Sequence, residues 1–434
     1  MSPNRTISLL SVAILSALSS AAWAEKNWVA SVYTSADYHN NITRSSNKKS
    51  DVVYAVGANI NASARTERHN LSASYDVSKD YYNQNTFKDQ TNLNGGLSLR
   101  SMLWGQRMYW VVNHSQTTTL TSARLNDTPD NRQESATFST GPQLYFRPSD
   151  RDSLSYTALY SKTDLEESTA NENYSISQNA TWSRILSEVT NLDVTGNHTE
   201  TRFDENKLNN YERDSATIGF SGQRPWFNYR FSVGGNRVRP NQGEDESGAI
   251  YTLNLSRTQK DVTYSLSASR ELTDTVSASN ITEDNLVLTD QGILITDTGT
   301  VSIIERTTFS GTISGVQLSN RITAEFNANR TQSKSKDEAG IDQTQDALGA
   351  SFSYYLSEKM SCFASLRYTQ TDFMEEPKRT DKTNTATLGW DYASQKGLGA
   401  TVSLSREERS SDNAGSDYSV YSALATLRYS FGSL

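Results

Sequence analysis

Apolar and polar side chains alternate strictly in the stretch Leu71–Ser78, which reads LSASYDVS. The same period of two returns in Leu154–Ser161, Phe227–Val233 and Val262–Ala268. Successive side chains of a β-strand point to opposite faces, so each stretch predicts a strand with one apolar and one polar face. From Trp28 onward the chain is therefore expected to consist of such strands.

The connections between these stretches are of two kinds, and the two kinds alternate. Short turns such as Trp104–Arg107 and Arg147–Asp150 are followed by longer, charged segments. This rhythm is typical of a transmembrane antiparallel β-barrel with turns in the periplasm and loops outside. The sequence predicts an all-β barrel of about 20 strands, with 18 to 22 left open. The segments predicted as loops include Thr163–Glu172, Thr201–Asn210, Val238–Ser247, Thr331–Gln343, Thr371–Thr383 and Glu407–Ser416.

The composition agrees with a barrel and excludes several other classes. Only 35% of the 434 residues are hydrophobic and the mean hydropathy is −0.64, so helices that span a membrane are not expected. An aromatic content of 10% argues against a disordered chain. One cysteine, Cys362, excludes a disulfide scaffold, and a net charge of −8 argues against nucleic-acid binding.

The N-terminus indicates export. A short basic segment is followed by an apolar run over 7–22 and by Ala22-Trp23-Ala24, an A-x-A cleavage site. We expect residues 1–24 to be a signal peptide cleaved after Ala24, and residues 25–434 to form one barrel in a bacterial outer membrane. A lone N-terminal membrane helix is the alternative, and the shortness of the apolar run disfavours it.

The last strand resembles the closing strand that the outer-membrane assembly machinery recognises. Tyr429 and Phe431 end an alternating stretch, although Gly432-Ser433-Leu434 displace the aromatic residue from the terminus. The expected partners are therefore the assembly machinery and outer-membrane lipid. Aromatic side chains are expected to form girdles at both membrane interfaces. The candidates are Trp28, Tyr54, Tyr81, Trp104, Trp110, Trp182, Trp226, Trp390, Tyr392 and Tyr429.

Strand parity also predicts which charged residues line the lumen. If the apolar residues face lipid, seven arginines and four acids face inward among Ser, Thr, Asn and Gln. Such a wall suits a polar or anionic solute, or its charges pair across strands and merely hydrate the interior. The predicted lumen residues are Arg100, Arg213, Arg230, Arg306, Arg321, Arg367, Arg428, Asp76, Asp193, Glu325 and Asp391.

Signals for catalysis or cofactor binding are weak. The four histidines lie in no metal-spaced motif, so neither a metal site nor a cofactor is expected, and the protein is not expected to be an enzyme. His114-Ser115, or Asp193 with His198, would be the candidates for a catalytic pair. Both histidines share the parity of outward apolar residues, which places them at an interface instead.

The first hairpins resemble a known family. The segments are Tyr38–Ile42 (YHNNI), Ser46–Gly57 (SNKKSDVVYAVG), Ala64–Leu71 (ARTERHNL) and Tyr75–Tyr82 (YDVSKDYY). They are similar to the opening of the outer-membrane β-barrel family associated with the PEP-CTERM/exosortase system, with Asn40 where that family usually has Asp. The resemblance covers about 60 residues. It implies a setting of exopolysaccharide biosynthesis and a role in moving polymer across the outer membrane.

Three functions follow as hypotheses. The first is a porin-like barrel that aids export of extracellular polysaccharide through a hydrated lumen. The second is a passive diffusion porin for small polar or anionic solutes. The third is a non-conducting barrel whose loops bind a surface partner. A barrel of this size often needs partial closure, and the segment Leu272–Thr300 is the candidate for folding inward.

Overall fold

The computed structural model describes residues 25–121, 125–166, 171–274, 303–336, 342–374, 378–413 and 415–433. They form one sheet of twenty antiparallel strands. In chain order these are β1 (Glu25–His39), β2 (Asp51–Arg65), β3 (His69–Tyr82), β4 (Gln90–Trp104), β5 (Met108–Leu120), β6 (Arg132–Phe146), β7 (Asp152–Leu165), β8 (Asn173–Ser187), β9 (Thr190–Phe203), β10 (Tyr211–Gln223), β11 (Asn228–Pro240), β12 (Glu246–Gln259), β13 (Val262–Asp274), β14 (Ile303–Ser319), β15 (Ile322–Ser335), β16 (Gln343–Ser357), β17 (Met360–Phe373), β18 (Arg379–Ala393), β19 (Leu398–Ser411) and β20 (Tyr418–Ser433).

Each strand pairs with its neighbours in sequence, and β20 pairs with β1 to close the barrel. At the seam Val32 faces Tyr429 and Ala30 faces Phe431. A closed sheet leaves no unpaired edge, which is what a spanning sheet requires in lipid. The predicted barrel and its strand number are confirmed. Within the described ranges, no helix is long and apolar enough to span a membrane.

The connections alternate as predicted. Nine turns of two to five residues join β2 to β3, β4 to β5 and so on around one rim, and the longer connections lie at the other rim. The loops begin later in the chain than the sequence predicts, because the preceding strands run on to Phe203, Pro240, Ser335, Phe373 and Ser411. A spanning strand needs about 9–11 residues, and polar residues can continue the ladder into water beyond the membrane.

The outer face is apolar. The side chains of Val56, Leu366 and Leu388 are 59%, 57% and 64% exposed, as expected for residues that face lipid. All six described tryptophans lie near the rim that carries the short turns, among them Trp104 and Trp226. Amphipathic rings at that level form one of the expected girdles. The architecture is that of an outer-membrane barrel.

Tyr429 and Phe431 lie on the outer face of β20. Their rings stack at 6.3 Å between centroids, and Phe431 packs edge-on against Trp28 at 6.2 Å. These contacts link the last strand to the first. Recognition of the two residues by the assembly machinery stays a prediction.

One lumen-facing contact depends on a glycine. The ring of Tyr33 on β1 lies over Gly57 on β2, where an added Cβ would come within 2.3 Å of it. The hydroxyl of Tyr33 donates to a carboxylate oxygen of Asp76 on β3 at 2.9 Å. The absence of a side chain at Gly57 therefore lets Tyr33 connect three strands.

We expect Gly57→Val to destabilise the barrel by about 1–3 kcal/mol, because the ring of Tyr33 must move and its hydrogen bond is lost. Urea unfolding in lipid vesicles, followed by gel mobility of the unheated protein, measures the change. Gly196→Val is the control, because no atom lies within 4 Å of a Cβ built there. Equal stability of the two variants would contradict this role of Gly57.

Candidate functional site

The predicted acids on the inner wall mostly accept hydrogen bonds from neighbouring strands. Asp193 accepts from Ser183 Oγ at 2.6 Å and from Ser221 Oγ at 3.3 Å. Asp391 accepts from Thr401 Oγ1 at 2.6 Å. Together with the Tyr33–Asp76 bond, these hydrogen bonds cross-link neighbouring strands of the wall. The sequence left open that the acids pair with arginines across strands, whereas the bonds to these three acids come from hydroxyl groups. Glu325, in contrast, is exposed to the lumen.

The predicted arginines fall into distinct environments. Arg230 and Arg428 are exposed on the inner wall near the turn rim. Arg321 lies in the turn Asn320-Arg321 between β14 and β15, because the strand begins only at Ile322. Its side chain is exposed at the turn rim, and its contribution to the inner wall stays a prediction.

Arg100 rests on two aromatic rings. Its guanidinium carbon lies 3.8 Å from the centroid of the Tyr109 ring and 5.3 Å from that of Tyr145. The two rings pack edge-on at 5.7 Å. Cation–π contacts of this kind orient the guanidinium group, and the Nε of Arg100 is buried in this arrangement. The three residues form an aromatic and cationic cluster on the inner wall, which we call the Arg100 cluster, and Arg100 itself lies four residues from the end of β4.

The last residues of β13 separate from β12 at the loop end and lie against the inner wall, while they stay paired with β14. The ladder between β12 and β13 ends at the pair Tyr251 and Arg270. Beyond it, Leu272 is buried in a cluster with side chains that face the lumen on β9 to β11, namely Phe203, Tyr211 and Val238.

Two hydrogen bonds fix this inward position. Asn236 Nδ2 donates to the Leu272 carbonyl at 2.6 Å, and Arg213 Nη1 donates to Thr273 Oγ1 at 3.1 Å. Arg213 thus anchors the hairpin. The segment Leu272–Thr300 was considered for folding inward, and its first residues do so; residues 275–302 lie outside the described ranges.

A second element also lies across the loop end of the lumen. It is the segment 125–131 between β5 and β6, which we call the mouth segment. Asn126 Nδ2 donates to the Arg44 carbonyl at 2.5 Å, and Asn126 Oδ1 accepts from Arg409 Nη1 at 2.8 Å. Arg44 Nη1 in turn donates to the Asp127 carbonyl. Arg44 belongs to the β1–β2 connection and Arg409 to β19, so the mouth segment is tied to the wall beyond the seam.

The anchors of the mouth segment belong to a buried ion-pair network. Asp381 binds Arg409 at 2.5 Å and Arg379 at 2.9 Å, and the side chains of the three are only 7–12% exposed. Glu407 binds Arg44 Nε at 3.1 Å and accepts from the Tyr418 hydroxyl at 2.7 Å. Removing one partner from such a pair leaves an uncompensated buried charge, so the network holds the mouth segment firmly.

A chamber of about 270 Å³ lies between the mouth segment and the wall from β14 to β20. At about 30 Å³ per water it holds roughly nine waters, or a group the size of one sugar ring. Four guanidinium groups, three carboxylates and several hydroxyls and amides line it. Its charged residues are Arg44, Arg306, Arg367, Arg409, Asp127, Asp381 and Glu407.

The mouth segment should resist mild acid. Burial alone would raise the pKa of Asp127, but the hydrogen bond from Arg132 and the charges of Arg132 and Arg44 outweigh it and hold this pKa below its usual range. A depressed pKa means that the stabilisation is present above the ordinary value of about 3.9 and is lost as the pH falls through the lower folded value.

We therefore expect the conductance of the reconstituted protein to stay constant from pH 7 to about 4 and to rise below it, as the mouth segment loosens. Single-channel recording across this range tests the expectation. Asp127→Asn removes the titrating group and should reduce the acid response. A transition above pH 5 in the unaltered protein would show that another group controls the mouth.

The proposed catalytic pairs are not assembled. His198 Nδ1 lies 2.7 Å from Asp214 Oδ1 on the outer face, whereas Asp193 faces the lumen. His114 Nδ1 is 2.8 Å from the Tyr75 hydroxyl, also on the outer face. The described residues contain no group of three or more His, Cys, Asp or Glu side chains that could hold a metal ion.

Several residues of the network that holds the mouth segment were not predicted from the sequence. Arg379, Asp381, Glu407 and Arg409 fell in segments predicted as loops, so no parity was assigned to them. Asn41 is fully buried, and its side-chain amide donates to the carbonyls of Ser45 and of Ser419 on β20. The only sequence feature that marks this residue is the Asn40-Asn41 pair within Tyr38–Ile42.

Comparison with known proteins adds a partial match. A family model described as "Putative beta-barrel porin 2" matches residues 29–104, which span β1 to β4 and include the segments that carry the sequence resemblance. No curated protein matches the chain.

Several solved barrels are similar in structure. The FrpB iron transporter from Neisseria meningitidis (F5-1 variant) is 10% identical, with 94% of this chain and 83% of that chain covered and a TM-score of 0.48. OccK2 (OpdF) from Pseudomonas aeruginosa is 8% identical, with 94% and 98% covered and a TM-score of 0.43. OpdO from the same organism is 11% identical, with 94% and 98% covered and a TM-score of 0.42. At these scores the likeness bears on neither substrate nor mechanism.

Proposed function

We propose that the barrel is a hydrated, porin-like channel for polar solutes and that its physiological cargo is an extracellular polysaccharide on its way out. The observation that carries the proposal is the inner wall, which is polar along its length and bears exposed arginines such as Arg230, Arg367 and Arg428. A wall of hydroxyls, amides and guanidinium groups replaces the water around a hydroxyl-rich or anionic solute.

The size of the barrel supports passage. Twenty strands at about 4.8 Å spacing, tilted by about 40°, give a backbone diameter of about 40 Å. The described residues outside the strands all belong to connections at the two rims, and those that enter the lumen do so at the loop end. Wide barrels of this kind leave an aqueous channel unless a plug fills them.

The finer proposal of polysaccharide export has two supports. The Arg100 cluster places a cation held on aromatic rings at the inner wall, which suits a sugar ring that carries an acidic group. The resemblance of the first hairpins to barrels of exopolysaccharide systems also favours an extracellular polysaccharide as the cargo.

Two experiments test the channel and its polysaccharide cargo separately. Planar-bilayer recording of the purified barrel should show stable conductance, and its absence would overturn the channel. Deletion of the gene should reduce surface polysaccharide, with restoration by the unaltered gene but not by one that encodes Arg100→Ala with Tyr109→Ala. Normal secretion by the deletion strain, with a conducting barrel, would instead favour passive diffusion of small polar or anionic solutes.

A further inference from the structure

The two rims of the barrel carry opposite charge. The nine short turns contain nine basic and five acidic residues, whereas the described residues of the long connections contain seven basic and twelve acidic ones. The whole chain has a net charge of −8, so the excess of cations in the turns runs against its composition. The turn cations are Arg68, Arg107, Arg147, Arg151, Arg224, Lys260, Arg321, Lys359 and Lys396.

The turn cations are available to a ligand. All nine are exposed, and none forms an ion pair with another residue in the described ranges. At the opposite rim some cations are neutralised locally, as in Arg44–Glu407, Arg132–Asp127, Arg237–Asp245 and Arg270–Glu305, and acidic residues outnumber basic ones in the described long connections. Unpaired charges of one sign around an opening produce a potential that concentrates ions of the other sign.

The basic rim continues into the lumen. Arg100, Arg230 and Arg428 face inward within a few residues of the turns, and the first of them is held on the Tyr109 ring. A ligand bound at the turns therefore meets further guanidinium groups along the wall. This continuity distinguishes the rim from a patch that contacts only the membrane surface, whose headgroups lie outside the barrel.

We propose that the ring of turn cations binds an acidic polysaccharide and that Arg100, Arg230 and Arg428 extend this contact into the lumen. The proposal rests on the conducting lumen proposed above and names its substrate class as a polymer with regularly spaced carboxylates. Many weak contacts act together on such a polymer, so its binding is strong at low salt and is screened at high salt. The acidic opposite rim repels the same polymer, so binding is expected at the turn side.

Block of single-channel current by a polyanion from either side tests the proposal. The probe is oligogalacturonate of about ten units, and neutral maltodextrin of the same length is the control, in a zwitterionic bilayer. Orientation is assigned by the side from which a large maleimide reagent alters the current of Gln242→Cys in a Cys362→Ser background, since Gln242 lies in a long connection. We expect block from the turn side at about tenfold lower concentration, with the difference lost at 1 M salt.

A charge-neutral variant shows whether the turns cause the asymmetry. The variant combines Arg147→Gln, Arg151→Gln, Arg224→Gln and Lys359→Gln, and should abolish the asymmetry. The matched control removes four exposed cations of the opposite rim, Lys48, Lys49, Lys88 and Lys378, and should preserve it. Equal block from both sides, or equal block by maltodextrin, would overturn the proposal.

Two further outcomes distinguish polymer binding by the turns from lipid binding and from failure of the channel hypothesis. If the variant weakens binding to phosphatidylglycerol vesicles but leaves the block by oligogalacturonate unchanged, the turns bind lipid headgroups and the proposal fails. If the barrel conducts nothing, the channel hypothesis fails. Calorimetric titration of the detergent-solubilised barrel then decides whether the ring of turn cations binds the polymer. Oligogalacturonate binding that the variant abolishes supports the ring, and no binding overturns it.

Discussion

Replacing Arg409 with alanine will raise the single-channel conductance of the barrel. Arg409 joins Asn126 of the mouth segment to Asp381 on the neighbouring strand. Its removal leaves the buried Asp381 with Arg379 alone, and breaking such a pair costs about 3–5 kcal/mol. The mouth segment itself loses the charged hydrogen bond to Asn126, which contributes about 1.5–3 kcal/mol. At about 1.4 kcal/mol per tenfold, the equilibrium between the docked and free mouth segment should shift by about ten- to a hundredfold.

Arg406→Ala is the matched control for this variant. Arg406 lies three positions earlier on β19 but faces outward, where it pairs with Glu408 at 2.8 Å and both side chains are more than half exposed. An exposed pair of this kind contributes about 0–1 kcal/mol, so the control should conduct like the unaltered protein.

A second variant keeps the test valid if Arg409→Ala folds poorly. Asn126→Ala removes the same anchor from the mouth segment and leaves the strands and the Asp381 network untouched. It should raise the conductance in the same direction, because it removes both the bond from Arg409 and the bond to the Arg44 carbonyl. If both variants fold and conduct as before, the mouth segment does not restrict the channel.

The strands and faces of this barrel could be predicted from the sequence because period-two alternation is local. Each of Leu71, Ala73, Tyr75 and Val77 reports its face through its immediate neighbours, so the lumen positions Asp76, Asp193 and Asp391 followed without any tertiary information. The closing pair of β1 with β20 followed as well, because a sheet in lipid must have no edge.

The contacts that hold the mouth segment could not be predicted from this alternation. The ties between Arg44, Asn126 and Arg409 join residues that are 82 and 283 positions apart in sequence. They depend on which connection bends inward, and that choice is made by ion pairs between strand ends that have no apolar face. Charged strand ends look like loops to a pattern of hydrophobicity, so Asp381 and Glu407 were assigned to loops.

Reversing the charge of Arg230 and Arg367 together will move the selectivity of the channel from anions toward cations. Both face the lumen, Arg230 near the turn rim and Arg367 in the chamber, so the pair samples both halves of the path. Each change to glutamate alters the wall by two charges. In a tenfold salt gradient we expect the reversal potential to shift by about 10 mV, out of about 59 mV for a perfectly selective pore.

The salt dependence of that shift identifies its cause. The Debye length is about 10 Å at 0.1 M and about 3 Å at 1 M, so wall charges act across the lumen only at the lower salt. Arg257→Glu is the control, since Arg257 lies opposite the outward Tyr264 and places the same charge change on the outer face near the same rim. A reversal potential that stays unchanged in the double variant would mean that the lumen arginines are neutralised by neighbouring groups, and that the wall hydrates the solute without selecting its charge.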